Sequence, residues 1–179
     1  DAVNAATKII WVCSPNNPSG NILSKASILQ IVKAFPDKLV VIDEAYIDFS
    51  TEPSFISELE NYENIAVLQT FSKAWGMAGL RLGVAYAHPT LIQVLNKIKY
   101  PYNINIVTQG LLLEALDKNG EKERLVAEIL SNKLKLEKEL SELEGVVKVF
   151  PSDSNMILVK FEKAKERFKF LLDKQIIVR

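Results

Sequence analysis

The chain of 179 residues contains one cysteine, and its charges show no excess of either sign. A single cysteine excludes an intramolecular disulfide and fits a reducing compartment, so we predict a cytoplasmic protein. Basic and acidic residues number 22 each, so the sequence gives no support for binding to nucleic acid. No apolar run approaches the roughly 20 residues of a membrane-spanning helix, so we expect no membrane partner. These absences leave an ordinary globular protein.

Strands and helices are predicted to alternate along the sequence. Apolar runs predict four strands, at 8–13, 39–43, 65–70 and 81–87. Helical spacing of apolar residues predicts helices at 24–35, 89–99, 105–118, 121–144 and 163–173. A further strand is predicted at 156–160, and a short one at the end of the chain. This alternation indicates an α/β fold with a mainly parallel sheet.

The most informative segment is TFSKAWGMAGLRLG, which begins at Thr70. Lys73 follows an apolar strand, where a lysine is costly unless it is paired, exposed in a cleft or chemically used. Ser72 and Arg81 are residue types that bind phosphate, and the glycines let the backbone approach a ligand closely. A lysine beside such a phosphate site predicts pyridoxal phosphate, held as a Schiff base. Taken alone, Lys73 is better explained as a surface lysine.

Two other predicted strands end in side chains that suit the same cofactor. Asp43 ends the apolar run LVVID, at the carboxyl end of a strand, where open α/β sheets bind ligands. Its carboxylate is suited to pair with a protonated pyridine nitrogen, and Tyr46 follows three residues later. Asn17 lies in SPNNPSG, a rigid turn-forming segment after the first strand. Glu44 is expected only to cap a following turn.

Together these motifs resemble a known family. SPNNPSG, VIDEAY and TFSKAWGMAGLRLG, in this order, are similar to the fold-type I pyridoxal-phosphate aminotransferases. DEAYIDF, KYPYNIN and the terminal IIVR resemble the histidinol-phosphate aminotransferase subfamily in particular. The resemblance implies that residues 1–120 are the C-terminal portion of the large cofactor-binding domain. It further implies a connecting helix at 121–144 and part of the small C-terminal α/β domain at 145–179.

The resemblance implies roles for the residues that would surround the cofactor ring. Lys73 would form the Schiff base and afterwards move the proton at the substrate's α-carbon. Asp43 would pair with the ring nitrogen. Asn17 and Tyr46 would hydrogen-bond the ring oxygen. No metal is implied.

The resemblance also implies phosphate-binding residues. Ser72 and Arg81 would bind the phosphate of the cofactor. Arg179 matches an arginine that is suited to the phosphate of the substrate. Gln175 departs from the family, because a glycine is common at that position.

The implied reaction is amino transfer between L-histidinol phosphate and 2-oxoglutarate, which yields glutamate, within histidine biosynthesis. The resemblance implies a homodimer, and it implies a longer protein, so we expect this chain to be a fragment that is inactive alone. Two alternatives stay open. One is a pyridoxal-phosphate-dependent decarboxylase of a phosphorylated amino acid, and the other is an aminotransferase-like domain that binds the cofactor without turnover.

Overall fold

A sheet of four strands organises the larger part of the molecule. A computed structural model describes residues 2–179. The strands neighbour one another in chain order: β1 (Ile9–Cys13), β2 (Leu39–Asp43), β3 (Ile65–Thr70) and β4 (Gly83–Ala87). The first three run parallel, and β4 runs antiparallel to β3. The predicted α/β fold with a mainly parallel sheet is therefore confirmed.

Five helices lie close to the predicted positions: α1 (Lys25–Ala34), α2 (Pro89–Ile98), α3 (Ile106–Leu116), α4 (Asn119–Glu142) and α5 (Ala164–Asp173). α1 begins where the side chain of Ser24 accepts a hydrogen bond from the N–H of Ser27. α2 begins with proline at its first position, where the missing N–H costs nothing. Among residues 2–179, no helix combines the length and the apolar content needed to cross a lipid bilayer.

The main core lies between α1 and the two central strands. Ile28 and Val32 are four residues apart on α1, so they face the sheet together. They pack against a buried cluster of β-branched residues from β2 and β3: Val40, Ile42, Ile65 and Val67. Val41 is also buried, although it points to the opposite face of the sheet. Burial on both faces explains why β2 reads as an unbroken apolar run.

A smaller unit follows α4. It contains an antiparallel pair, β5 (Val146–Val149) and β6 (Val159–Phe161), with α5 in contact with β6. β5 was not predicted from the sequence, and β6 begins later than the predicted strand at 156–160. The predicted final strand was wrong, since within the described residues β5 and β6 pair only with each other and 176–179 joins neither.

α4 is anchored to the larger unit near its beginning. Lys122 Nζ lies 3.0 Å from Asp48 Oδ1, and it also lies 5.1 Å from the centre of the Trp75 ring. Val126, one turn later, is buried in a cluster with Tyr46 and other apolar residues. The helix is thus packed on the larger unit before it leads to the smaller one.

Truncating Ile42, which is 0% exposed, tests the position of this core. Ile42→Ala should lower the free energy of unfolding by about 3–4 kcal/mol, because it opens a cavity between β2 and α1. Urea denaturation followed by circular dichroism measures the change. The matched control is Ile177→Ala, the same truncation at a residue that is 83% exposed; its effect should stay within about 0.5 kcal/mol. Equal effects of the two substitutions would contradict this description of the core.

Candidate functional site

Loops from three parallel strands meet at one edge of the sheet. β1 and β2 end side by side there, because Cys13 is paired with Asp43, and β3 ends at the same edge. The loops that follow carry Asn17, Tyr46 and Lys73. Such an edge, at the carboxyl ends of parallel strands, is where open α/β sheets bind ligands.

Tyr46 is the centre of this group of side chains. It is 7% exposed, and its phenol oxygen accepts a hydrogen bond of 2.9 Å from Asn17 Nδ2. Lys73 Nζ lies 5.2 Å from the centre of the Tyr46 ring, which is a cation–π distance. The structure therefore brings Asn17, Tyr46 and Lys73 together, and their roles stay predictions.

Asp43 presents a carboxylate at the end of β2. It is half-buried, and its Oδ1 accepts a hydrogen bond of 3.1 Å from the N–H of Ala45. That bond fixes the side chain within its own turn. Within residues 2–179 the carboxylate has no ion-pair partner. A fixed carboxylate without a cationic neighbour is suited to a cationic group on a ligand.

Ser72 lies near the beginning of the connection from β3 to β4, and Arg81 lies near its end. The pairing of the two strands continues to the N–H of Phe71, which donates to the carbonyl of Leu82 at 3.3 Å. Thr70 supports this connection, since its Oγ1 accepts from the N–H of Ser72 at 3.1 Å and donates to the Leu82 carbonyl at 3.3 Å. This role of Thr70 was not predicted from the sequence, although threonine hydroxyls often accept a hydrogen bond from the N–H two residues later.

Arg81 has a left-handed backbone, with φ of 54°. This conformation costs a non-glycine residue about 1 kcal/mol, and such conformations cluster at ligand-binding sites. The side chain is exposed, and its Nη1 donates to the carbonyl of Ala78 at 3.1 Å. The guanidinium is thereby held close to its own turn while most of its donors stay available to an anion.

Glu44 is the neighbour of Asp43, but its surroundings are entirely different. It is 1% exposed and accepts hydrogen bonds from Ser54 Oγ at 2.6 Å, Phe55 N–H at 2.7 Å and Gln69 Nε2 at 2.9 Å. All these partners are donors, so a carboxylate satisfies them better than any neutral group. Glu44 does cap a turn, as predicted, but that turn begins at Ser54, and no sequence pattern marks its partners.

Arg179 is not brought to this group. It is exposed in the irregular segment 176–179, and within the described residues it has no salt bridge with an acidic side chain. Gln175, just before this segment, has φ of 62°. That value favours glycine, which explains why the family commonly has one there. The role of Arg179 stays a prediction.

Comparisons with known proteins bear on the family and the fold. The family described as aminotransferase class I and II matches residues 1–179. A histidinol-phosphate aminotransferase of Parabacteroides distasonis is 53% identical over 173 residues, which are 97% of this chain and 50% of that protein. The chain thus spans about half the length of the curated relatives that it matches.

Two solved structures have the same fold. L-threonine-O-3-phosphate decarboxylase from Porphyromonas gingivalis superposes with a TM-score of 0.84 at 26% identity, over 96% of this chain and 54% of that one. Histidinol-phosphate aminotransferase from Sinorhizobium meliloti, in complex with pyridoxal-5'-phosphate, gives a TM-score of 0.84 at 23% identity, over 96% of this chain and 48% of that one. The second likeness supports the fold alone.

The buried carboxylate of Glu44 generates a prediction about stability. Glu44→Ala should lower the free energy of unfolding by about 3 kcal/mol, because it leaves the N–H of Phe55 without its acceptor and removes one of the two acceptors of Gln69 Nε2. Chemical denaturation measures this loss. Glu60→Ala, at an exposed glutamate, is the control and should change stability by less than about 0.5 kcal/mol. A harmless Glu44→Ala would show that the donors find other acceptors.

Proposed function

Because the chain belongs to the aminotransferase class I and II family, we propose that it carries the lysine and the ring-binding residues of a pyridoxal-phosphate site. The observation that carries this proposal is the meeting of Asn17, Tyr46 and Lys73 at the carboxyl edge of the sheet. These residues come from three separate loops, so a chance motif in one loop does not account for their contact.

The donor and acceptor groups present fit this cofactor. Asn17 and Tyr46 offer an amide and a phenol to the ring oxygen, and they already share a hydrogen bond of 2.9 Å. Asp43 offers its carboxylate to a protonated ring nitrogen, which would keep that nitrogen charged. Ser72 and Arg81, near the two ends of the connection from β3 to β4, offer a hydroxyl and a guanidinium to the phosphate.

Pyridoxal phosphate, when bound, supplies an aldehyde that reacts with amines and a ring that withdraws electrons. The protein must then hold and move a proton at the α-carbon of the substrate. Lys73 is the group we assign to this task, since within residues 2–179 its amine has no carboxylate within ion-pair distance. The ring of Tyr46 orients the amine at 5.2 Å.

We propose L-histidinol phosphate and 2-oxoglutarate as the substrates of this site. Support comes from the 53% identity to a histidinol-phosphate aminotransferase. Arg179 is proposed to bind the phosphate of the substrate. The same proposal includes a homodimer and a cytoplasmic location. It also includes the division of the chain into a large-domain portion, a connecting helix and part of a small domain, at 1–120, 121–144 and 145–179.

A second candidate function is decarboxylation of a phosphorylated amino acid. It is favoured by the likeness to the P. gingivalis L-threonine-O-3-phosphate decarboxylase, at 26% identity and a TM-score of 0.84. Both reactions need a lysine, a ring-nitrogen partner and a phosphate-binding arginine, so the residues described here serve either one. The identity of 53% to an aminotransferase makes amino transfer the first choice.

The cofactor proposal predicts selective labelling of one lysine. After incubation with pyridoxal phosphate and reduction with borohydride, mass spectrometry should find the label on Lys73 and none on Lys118, an exposed lysine just before α4. Lys73→Arg should abolish the label. Asp43→Ala should weaken binding at least about tenfold, because a charge-assisted hydrogen bond contributes roughly 1.5–3 kcal/mol. Labelling spread over many lysines and insensitive to Lys73→Arg would refute the assignment.

The substrate proposal is tested in a chimera, in which this chain replaces the matched half of the P. distasonis relative. Arg179→Ala should raise the KM for histidinol phosphate about tenfold or more, because a charge-assisted contact with the substrate's phosphate is lost. The KM for 2-oxoglutarate should not change. Arg124→Ala, at an exposed arginine of α4, is the control and should have no effect. If the chimera instead released carbon dioxide from phosphothreonine, the second candidate function would replace the first.

A further inference from the structure

A loop of the smaller unit contacts the turn that carries Asn17. This segment, residues 151–156, is called the docking loop below. We propose that Asp153 and Lys133 are positioning residues, which act through the docking loop to hold Asn17 against Tyr46. The inference rests on the proposed function, because the pair of Asn17 and Tyr46 is the contact assigned there to the ring oxygen.

Asp153 connects the docking loop to the turn with two hydrogen bonds. Its N–H donates to the carbonyl of Gly20 at 2.8 Å, and its Oδ2 accepts from the N–H of Ile22 at 3.0 Å across 131 positions of sequence. The surfaces also touch closely, since a Cβ on Gly20 would lie 2.8 Å from Ser152 Cβ and would overlap Ser152 Oγ. Only glycine permits this approach, and its φ of 74° favours glycine as well.

Lys133 of α4 sets the shape of the docking loop from the other side. The residue is 9% exposed, and its Nζ donates to the carbonyls of Ser152 and Ser154, with Glu137 at 3.6 Å. A buried ammonium group is costly unless its donors are used. Here the donors hold two carbonyls on either side of Asp153, so the aspartate is presented to the turn in a fixed orientation.

The turn transmits this position to Asn17. Its ends are closed by two short backbone hydrogen bonds, from the N–H of Gly20 to the carbonyl of Asn16 at 2.7 Å and from the N–H of Asn16 to the carbonyl of Asn21 at 2.9 Å. Asn17 lies inside the closed turn. A displacement of Gly20 therefore displaces the amide that donates to Tyr46.

The docking loop also touches the other member of the pair. Met156, at its end, packs against the buried cluster that contains Tyr46, Ala74 and Val126. One short segment thus contacts the turn of Asn17 through Asp153 and the surroundings of Tyr46 through Met156. It spans the hydrogen bond between Asn17 and Tyr46 and sets the distance between them.

The experiment measures two properties of the 179-residue chain: the NMR resonances of the Asn17 side-chain amide without ligand, and the dissociation constant for pyridoxal phosphate. Asp153→Ala and Lys133→Met should each shift the amide resonances and weaken cofactor binding about three- to tenfold, the loss expected for one hydrogen bond. In an Asn17→Ala background, Asp153→Ala should change the affinity by less than about 1.5-fold, because its effect passes through Asn17.

Two further variants separate positioning from general stability. Gly20→Ala should weaken cofactor binding, and adding Ser152→Gly should restore part of the affinity by removing the atoms that the new Cβ meets. The matched control is Glu58→Ala, which removes a carboxylate whose ion-pair partner is Lys25 at 2.6 Å. It should lower the melting temperature while the Asn17 amide resonances and the cofactor affinity stay unchanged.

The proposal is overturned if Asp153→Ala leaves the Asn17 resonances unchanged, or if its effect on affinity persists in full without the Asn17 side chain. Asp153 is exposed, so this variant gives an answer even if Lys133→Met does not fold. A wild-type chain that binds no pyridoxal phosphate would refute the cofactor part of the proposed function. The amide resonances would still decide whether the docking loop positions Asn17.

Discussion

The register of the parallel strands is the constraint from which the site follows. Because Cys13 pairs with Asp43 and Asp43 with Leu68, the strands end at one edge and their loops meet. Side chains alternate between the faces of a strand, so a slip by one residue would exchange Asp43 and Glu44. The open carboxylate would then be buried among donors, and the buried one would lie open at the edge of the sheet. Asp43 and Glu44 can be adjacent in sequence and still have such different surroundings only because this register is fixed.

The sequence was sufficient to predict the features that are local in the chain. An apolar run followed by polar residues marks the end of a buried strand, and this pattern located Asp43 at the end of β2 and Lys73 in the loop just after β3. α4 was predicted from apolar residues at helical spacing, such as Val126 and Ile129. The family resemblance then supplied the roles, because the spacing of motifs alone leaves a surface lysine as the simpler explanation of Lys73.

The contacts that join distant parts of the chain were not predicted. Glu44 meets Gln69 across 25 positions, and Asp153 meets Ile22 across 131 positions, and neither pair has a local signature. β5 was missed because it is only four residues long and Lys148 interrupts its valines, so its apolar run is shorter than those of the strands that were predicted. The predicted strand at the chain end failed for the opposite reason, since apolar residues there have no neighbouring strand to pair with.

α4 also fixes how many residues the molecule can accept between its two units. Lys122 contacts Asp48 of the larger unit, and Lys133 contacts the carbonyl of Ser154 in the smaller one. The two lysines are separated by about three helical turns, or about 16 Å, so they lie on the same face of the helix. Inserting or deleting a single residue between them would rotate one lysine about 100° away from its partner. In homologous chains the stretch between these two positions should therefore tolerate substitution on its outer face. Its number of residues should stay constant, because only that number keeps both lysines on the same face of the helix.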